Sequence, residues 1–262
     1  MVDKPYRTIG SQEIHSKPAA FKLLAKLLLM TLSVFLLGVL IYWIYPGWRW
    51  EQIPFHSLIE GVGGATAIII AFMLLRFGTL SKELPSYVWV ASALISMGTL
   101  DAFHAVVYPG QQFVWFHSVS NFAGGILFAC VWLPDKFVSQ FLKKQLPIVA
   151  LITAFMVGFI TLILPELVPG MGQKDQFSVV ANILNLSGGA GFIIASVYFI
   201  VASKQNESLH FPVLANHCLL FGLSGLLFNF SALWDGVWWE WHVLRFAAYS
   251  FILYFFILTY KK

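Results

Sequence analysis

Charge is what this chain has least of. Only 11% of its residues are Asp, Glu, Lys or Arg, against roughly a quarter in soluble domains. With 59% hydrophobic residues, a water-soluble core is not the economical reading. Cysteine is nearly missing as well. Cys130 and Cys218 are the only two, both in the inner halves of predicted helices, and no CxxC occurs, which argues against a disulfide framework or a structural zinc knot. A basic surface is also lacking. The net charge of +4 comes from residues at the ends of apolar runs, where they orient a membrane protein, and nucleic acid is not an expected partner. Residues 1–20 are polar and have no short apolar core followed by a small-residue cleavage site. They read as a cytoplasmic tail and not as a signal peptide. No linker long enough to separate domains interrupts residues 21–262.

What the chain does have is long apolar runs near the ~20 residues a helix needs to cross a bilayer. They predict an all-α, polytopic bundle of eight transmembrane helices over roughly 21–45, 55–77, 86–107, 113–133, 146–165, 178–203, 212–233 and 238–260. Turn signals separate them, among them the YPG motifs at 45–47 and 108–110, VPG at 168–170 and FP at 211–212. Basic residues alternate by side. Lys4, Arg7, Lys17, Lys22 and Lys26 precede the first span, and Lys82, Lys136, Lys143, Lys144, Lys204, Lys261 and Lys262 share its side. The opposite loops hold only Arg49 and Lys174. Both termini are therefore expected in the cytoplasm. Most tryptophans, including Trp48, Trp50, Trp238, Trp239 and Trp241, fall on the outer side, as an interfacial belt does.

Against this apolar background, MGTLDAFHAVV carries Asp101 and His104 three residues apart inside a span. His56 and Glu60 lie in the first turns of the second span, His117 opens the fourth, and His242 and Arg245 open the eighth. At a 1.5 Å rise per residue, side chains from four helices share one depth, within about 10 Å of the outer surface. The inner halves hold little comparable beyond His217. Each pair is spaced i,i+3 or i,i+4 and so occupies one helical face. Gly63, Gly64 and Ala67, and Gly124 and Gly125, allow close packing of helices along the same faces. FHSLIEGVGGA (55–65) also aligns without gaps to FHSVSNFAGGI (116–126), and ANILNLSGGAG (181–191) places Asn185 where the others have Glu60 and Asn121. Duplicated hairpins are a natural origin for such a repeat.

A layer of polar residues can simply fasten a bundle by hydrogen bonds. Ionisable residues inside spans are costly, however, so a cluster of them is a functional hypothesis by default. A divalent metal suits this set. Neutral imidazoles and carboxylates on facing helices supply ligands, and the ion cancels carboxylate charge. His56, His104 and His117 are the first expected ligands, with His242 a further one. Glu60 and Asp101 are expected as ligands or as acceptors for the second ring N–H of a ligating histidine. With no cysteine in this layer, copper(I) is disfavoured and zinc, iron or copper(II) remain. Arg245 is expected to pair with Asp101 or Glu60, or to receive an anionic ligand group. Asn182, Asn185 and Asn229 are expected as hydrogen-bonders between helices, Asp235 as a solvated loop residue, and His217 and Cys218 as packing residues.

At these residues the sequence resembles a known family. FHSLIEGVGGATAIIIAFMLL, MGTLDAFHAVVYPG and HSVSNFAGGILFACVWL are similar to the third type of bacterial membrane-associated sensor domain over about residues 55–133. The matching positions are His56 with Glu60, Asp101 with His104, Tyr108 and Gly110, and Asn121. The resemblance implies a sensory input domain in a bacterial inner membrane, receiving an ion or small ligand from the outer side. It would serve a cytoplasmic kinase or cyclase module in cis or in trans, and leaves room for a homodimer. The chain departs from the pattern by stopping at Lys262, with no kinase helix and no GGDEF loop after the last span. Two other readings stay open. One is an intramembrane metal-dependent hydrolase acting on a lipid, with Glu60 or Asp101 as general base. The other is a metal-free pH or small-ligand sensor built on the histidines.

Overall fold

The computed structural model describes residues 17–80, 87–134, 139–173, 176–205 and 208–260. Among the expected orienting cations, Lys4, Arg7, Lys82, Lys136, Lys174, Lys261 and Lys262 lie outside the described residues, as does most of the tail over 1–20. A chain in hydrocarbon must satisfy its backbone polar groups internally, and a helix does this within one segment. The apolar runs accordingly form α1 (Lys17–Ile44), α2 (Ile53–Leu80), α3 (Tyr87–Val106), α4 (Gln111–Ala129), α5 (Gln140–Ile163), α6 (Val179–Gln205), α7 (His210–Phe228) and α8 (Gly236–Tyr260). All eight contain a stretch long and apolar enough to cross a membrane, the make-up of a multi-pass membrane protein.

The helices are not equivalent. In α3 and α7, 78% of the apolar stretch is buried, whereas in α1 the share is 11%. Two central helices are thus wrapped by the rest. α2, α4 and α5 pack on α3, α6 and α8 pack on α7, and α1 lies against α7 and α8. The outward faces of α1 and α5 carry Leu29, Leu36, Ile148 and Ile152 in exposed positions, which suits lipid as the solvent.

Glycine sets the spacing of the wrap. A Cβ on Gly64 of α2 would lie 2.9 Å from the Gly98 carbonyl oxygen of α3, and one on Gly125 of α4 would run into the backbone of Gly188 of α6. These contacts bring backbones together, as small residues do between membrane helices. Gly125→Val should push α4 from α6 and cost about 1–3 kcal/mol, the usual range for overpacking. Unfolding in mixed micelles checks this, and a variant as stable as the parent would refute the close-approach account.

The largest departures from the expected elements are three. α5 begins at Gln140, with Pro147 inside it, where the sequence suggested a start near the proline. α7 ends at Phe228 and not at 233, because Phe230 and Ser231 turn back onto the carbonyls of Leu227 and Phe228. Finally, an otherwise all-α chain contains a small antiparallel hairpin, β1 (Gly172–Gln173) with β2 (Gln176–Phe177). It demands a glycine at its start. Gly172 has φ 147°, and a Cβ there would meet the Gln176 carbonyl oxygen at 2.6 Å. Such φ values are rarely open to other residues.

At one end of the bundle the α1–α2 and α7–α8 loops are laced together. Trp50 N–H donates to the Trp234 carbonyl at 2.9 Å, and Arg49 pairs with Asp235 in an isolated antiparallel bridge. Trp234 takes φ 70°, an uncommon conformation for a bulky residue. Asp235, expected in solvent, is half-buried and caps α8. Its Oδ1 accepts from Trp238 N–H and its Oδ2 from Ala232 N–H, each at 2.7 Å. Burial pushes its carboxyl above the usual range, against the pull of those N–H groups and of Arg49. Asp235→Ala should cost about 0.5–2 kcal/mol, the range for a lost N-cap, readable in the same unfolding experiment. At the opposite end, Tyr87 Oη lies 2.9 Å from His210 Nδ1, and the His210 ring contacts Phe255 and Phe256 of α8.

Candidate metal centre

The cluster residues reach the laced end of the bundle from five helices. α2 brings His56 and Glu60, α3 brings Asp101 and His104, α4 brings His117 and Asn121, α6 brings Asn185, and α8 brings His242 and Arg245. All of them are buried. Tyr108 is not with them. It follows α3 and is 82% exposed, because the turn before α4 directs it away from the bundle.

The geometry sorts the buried residues into two groups. In the first, His56, Glu60, His104 and His242 each offer one ligand atom, and these atoms lie within 4.8 Å of one another. His56 Nε2 stands 3.0 Å from His242 Nε2 and 3.2 Å from His104 Nε2. His242 Nε2 is 3.5 Å from Glu60 Oε1. A carbonyl oxygen only accepts, which settles two tautomers. His104 Nδ1–H donates to the Phe113 carbonyl and His242 Nδ1–H to the Trp238 carbonyl, each at 2.7 Å. In the neutral imidazoles both Nε2 atoms therefore carry bare lone pairs, and both face His56 Nε2. Backbone acceptors on Nδ1 fix ring orientation in the way outer partners of metal-ligating histidines do. Aromatic rings wall the group in. Trp241 stacks on His242 at 3.6 Å between centroids, and Phe113 lies 4.2 Å from His104.

The second group is organised by Arg245. Its Nη2 donates to Asp101 Oδ1 at 2.8 Å and Oδ2 at 2.7 Å. Its Nη1 donates to His117 Nδ1 at 2.6 Å and approaches Glu60 Oε1 at 3.4 Å. His117, expected among the first ligands, thus has its Nδ1 taken by the guanidinium, and His242 stands in the place expected of it. Asp101 is likewise held by Arg245 and by Tyr249, whose hydroxyl donates to Oδ2 at 3.3 Å. Asn121 Nδ2 donates to the Asn185 carbonyl at 3.1 Å, and Asn185 Nδ2 donates to Ser118 Oγ at 2.9 Å. Both asparagines therefore join α4 to α6 beside the cluster and do not line the histidine group. Glu60 is the one residue common to the two groups.

Charge supports the division. The Arg245 guanidinium meets Asp101 at 2.8 and 2.7 Å but Glu60 only at 3.4 Å, so one cationic side chain faces two buried carboxyl groups. Buried charge needs a partner, and a cation among the three imidazoles and Glu60 would provide one.

Tyr249 was not singled out in the sequence, although it lies four residues after Arg245 and so on the same face of α8. The Phe113 and Trp238 carbonyls have no sequence signal at all. Glu240 is also on α8 but turns to the other side, against Gly38 of α1, and takes no part in the cluster. His217 is buried at mid-bundle with Nδ1 donating to the Ala248 carbonyl at 3.0 Å, and Cys130 and Cys218 are free thiols. Asn229 bonds within its own helix, donating to Gly225. No family model, curated protein or solved structure matches this chain.

Proposed function

We propose that this chain is a membrane-embedded sensory input domain whose response rests on a divalent transition metal held by His56, His104, His242 and Glu60. One observation carries the reading: three imidazole Nε2 atoms converge in a buried, aromatic-walled space, and at least two of them present lone pairs. A single proton on His56 Nε2 satisfies one neighbour well and leaves the other facing a lone pair. A metal ion satisfies all three. Ligand atoms at 2.0–2.1 Å from a tetrahedral ion stand roughly 3.3–3.4 Å apart, close to the 3.0, 3.2 and 3.5 Å separations here. Three nitrogens and a carboxylate oxygen suit zinc or ferrous iron best, with copper(II) as a further candidate.

A binding role is favoured over hydrolysis by the space beside the cluster. The cavity lined by His104 and His117 is about 10 Å³, whereas substrate pockets take several hundred. A signalling role is favoured by α8. It carries His242, Arg245 and Tyr249 at the cluster and runs on to Tyr260 at the opposite end, which the basic residues assign to the cytoplasm. Occupancy then shifts the bundle to the extent that its two states differ in metal affinity, and α8 delivers the shift to a kinase or cyclase module.

Plasma mass spectrometry of detergent-purified protein, beside His104→Ala prepared identically, tests the reading. Near-stoichiometric metal in the parent and its loss in the variant are expected. No metal in the parent, even after reconstitution with zinc, iron and copper, would sink the proposal and leave the histidines as a proton-responsive layer.

A further inference from the structure

If the cluster holds an ion, the ion must reach it, and the walls described above are aromatic and closed. A polar basin of about 420 Å³ opens at the same end of the bundle, lined by Arg49, Gln176, Phe177, Asn182, Asn229 and Asp235 among others. Beneath it lies the 10 Å³ void that touches His104 and His117. Phe177 lines both. Its ring stacks on Phe228 at 4.1 Å, and Phe228 in turn stacks on His117 at 5.6 Å. One phenyl ring thus divides a space large enough for a hydrated ion from the histidines below.

The basin wall is oxygen-bearing. Asn182 Oδ1 is buried without a hydrogen-bond partner among the described residues. The Asn229 amide N–H donates to Gly225, which leaves its oxygen as the acceptor on offer. The Asp235 carboxylate lines the same wall. Arg49 stands opposite and interacts electrostatically with Asp235, so the wall does not attract a bare ion strongly. It suits a cation that keeps its water shell and is held through that shell by oxygen acceptors, as divalent ions are before they exchange waters for protein ligands. The backbone at Phe177 has little regular structure to hold it. It stands on β2, a two-residue strand held to β1 by its register with Gly172, and not on a helix.

We propose that the basin is the entrance by which a hydrated divalent cation reaches the histidine cluster, with Asn182, Asn229 and Asp235 as its vestibule and Phe177 as its gate. This inference rests on the metal-binding reading and adds the route. Loading and affinity are then set by different residues: the vestibule and gate govern the rate, while the imidazoles and Glu60 govern the equilibrium.

The test is cobalt(II) uptake by metal-stripped full-length protein in detergent, followed by the visible absorption of nitrogen-ligated cobalt in a stopped-flow instrument. Phe177→Ala should speed loading by about tenfold, which corresponds to roughly 1.4 kcal/mol off the entry barrier. Phe177→Trp and Asn182→Leu should slow it, with final cobalt content unchanged in all three. Two independent sites keep the test decisive if one variant folds poorly. Rates equal to the parent in every variant, with full uptake, would overturn the entrance while leaving the metal site standing. No uptake by the parent would remove the metal reading and the entrance with it.

Discussion

Arg245→Leu is expected to destabilise the bundle by about 3–5 kcal/mol, the cost of stranding a buried charge. The guanidinium donates to both oxygens of Asp101, to His117 and toward Glu60. Leucine would leave Asp101 with only the Tyr249 hydroxyl and Glu60 with a histidine neighbour. The sign of the pair's own contribution is a separate matter, since a buried ion pair often adds little over an apolar replacement. Arg245→Leu combined with Asp101→Asn should therefore recover part of the loss, because the closer of the two carboxylates is then neutral and only Glu60 is left without the guanidinium. Arg245→Lys should fall between, since an ammonium lacks the planar fork that serves several acceptors at once. Equilibrium unfolding in mixed micelles measures all three. A single variant as stable as the parent would show that the guanidinium does not hold the cluster.

His242→Ala and His117→Ala are expected to part company in metal affinity. His242 presents a bare Nε2 to the ligand group, so its loss should lower affinity by more than about 100-fold, above the 10–100-fold typical of an outer partner. His117 gives its Nδ1 to Arg245, so its loss should stay within that outer-partner range. Competition against a chelator of known affinity reads both constants. Equal large losses would place His117 among the ligands, and equal negligible losses would remove His242 from them.

The eight helices were legible because a long apolar run has few other ways to satisfy its backbone. A long apolar run becomes a helix, and only the ends shift, as at Pro147 and Phe228. The members of the cluster were legible for a related reason. Asp101, His104, Glu60 and Arg245 are too costly in a span to be scattered by chance, and helical spacing put each pair on one face. Their division into two groups was not legible. Whether His117 or His242 joins His56 depends on helix rotation and on which carbonyl, Phe113 or Trp238, lies within reach of a ring nitrogen. Neither quantity is written in side-chain chemistry. Tyr108 matches the resembled motif by its spacing after His104, and the turn between α3 and α4 leaves it exposed outside the bundle. The hairpin that carries Phe177 was invisible for a third reason, since two-residue strands have no periodicity to detect.

The lacing of the first loop to the last has a consequence for biosynthesis. His56 and His242 are 186 residues apart, and at roughly 5–20 residues per second the ribosome takes roughly 10–40 seconds to travel between them. Throughout that interval Glu60 and Asp101 lack the Arg245 guanidinium that faces them in the folded bundle. Inside a membrane span each such residue costs about 2.5–3.5 kcal/mol on insertion scales, which gives a chain that crosses a bilayer a reason to bring α8 onto α2 and α3. A chain that lacked α8 would accordingly leave Asp101 and Glu60 without the guanidinium that faces them.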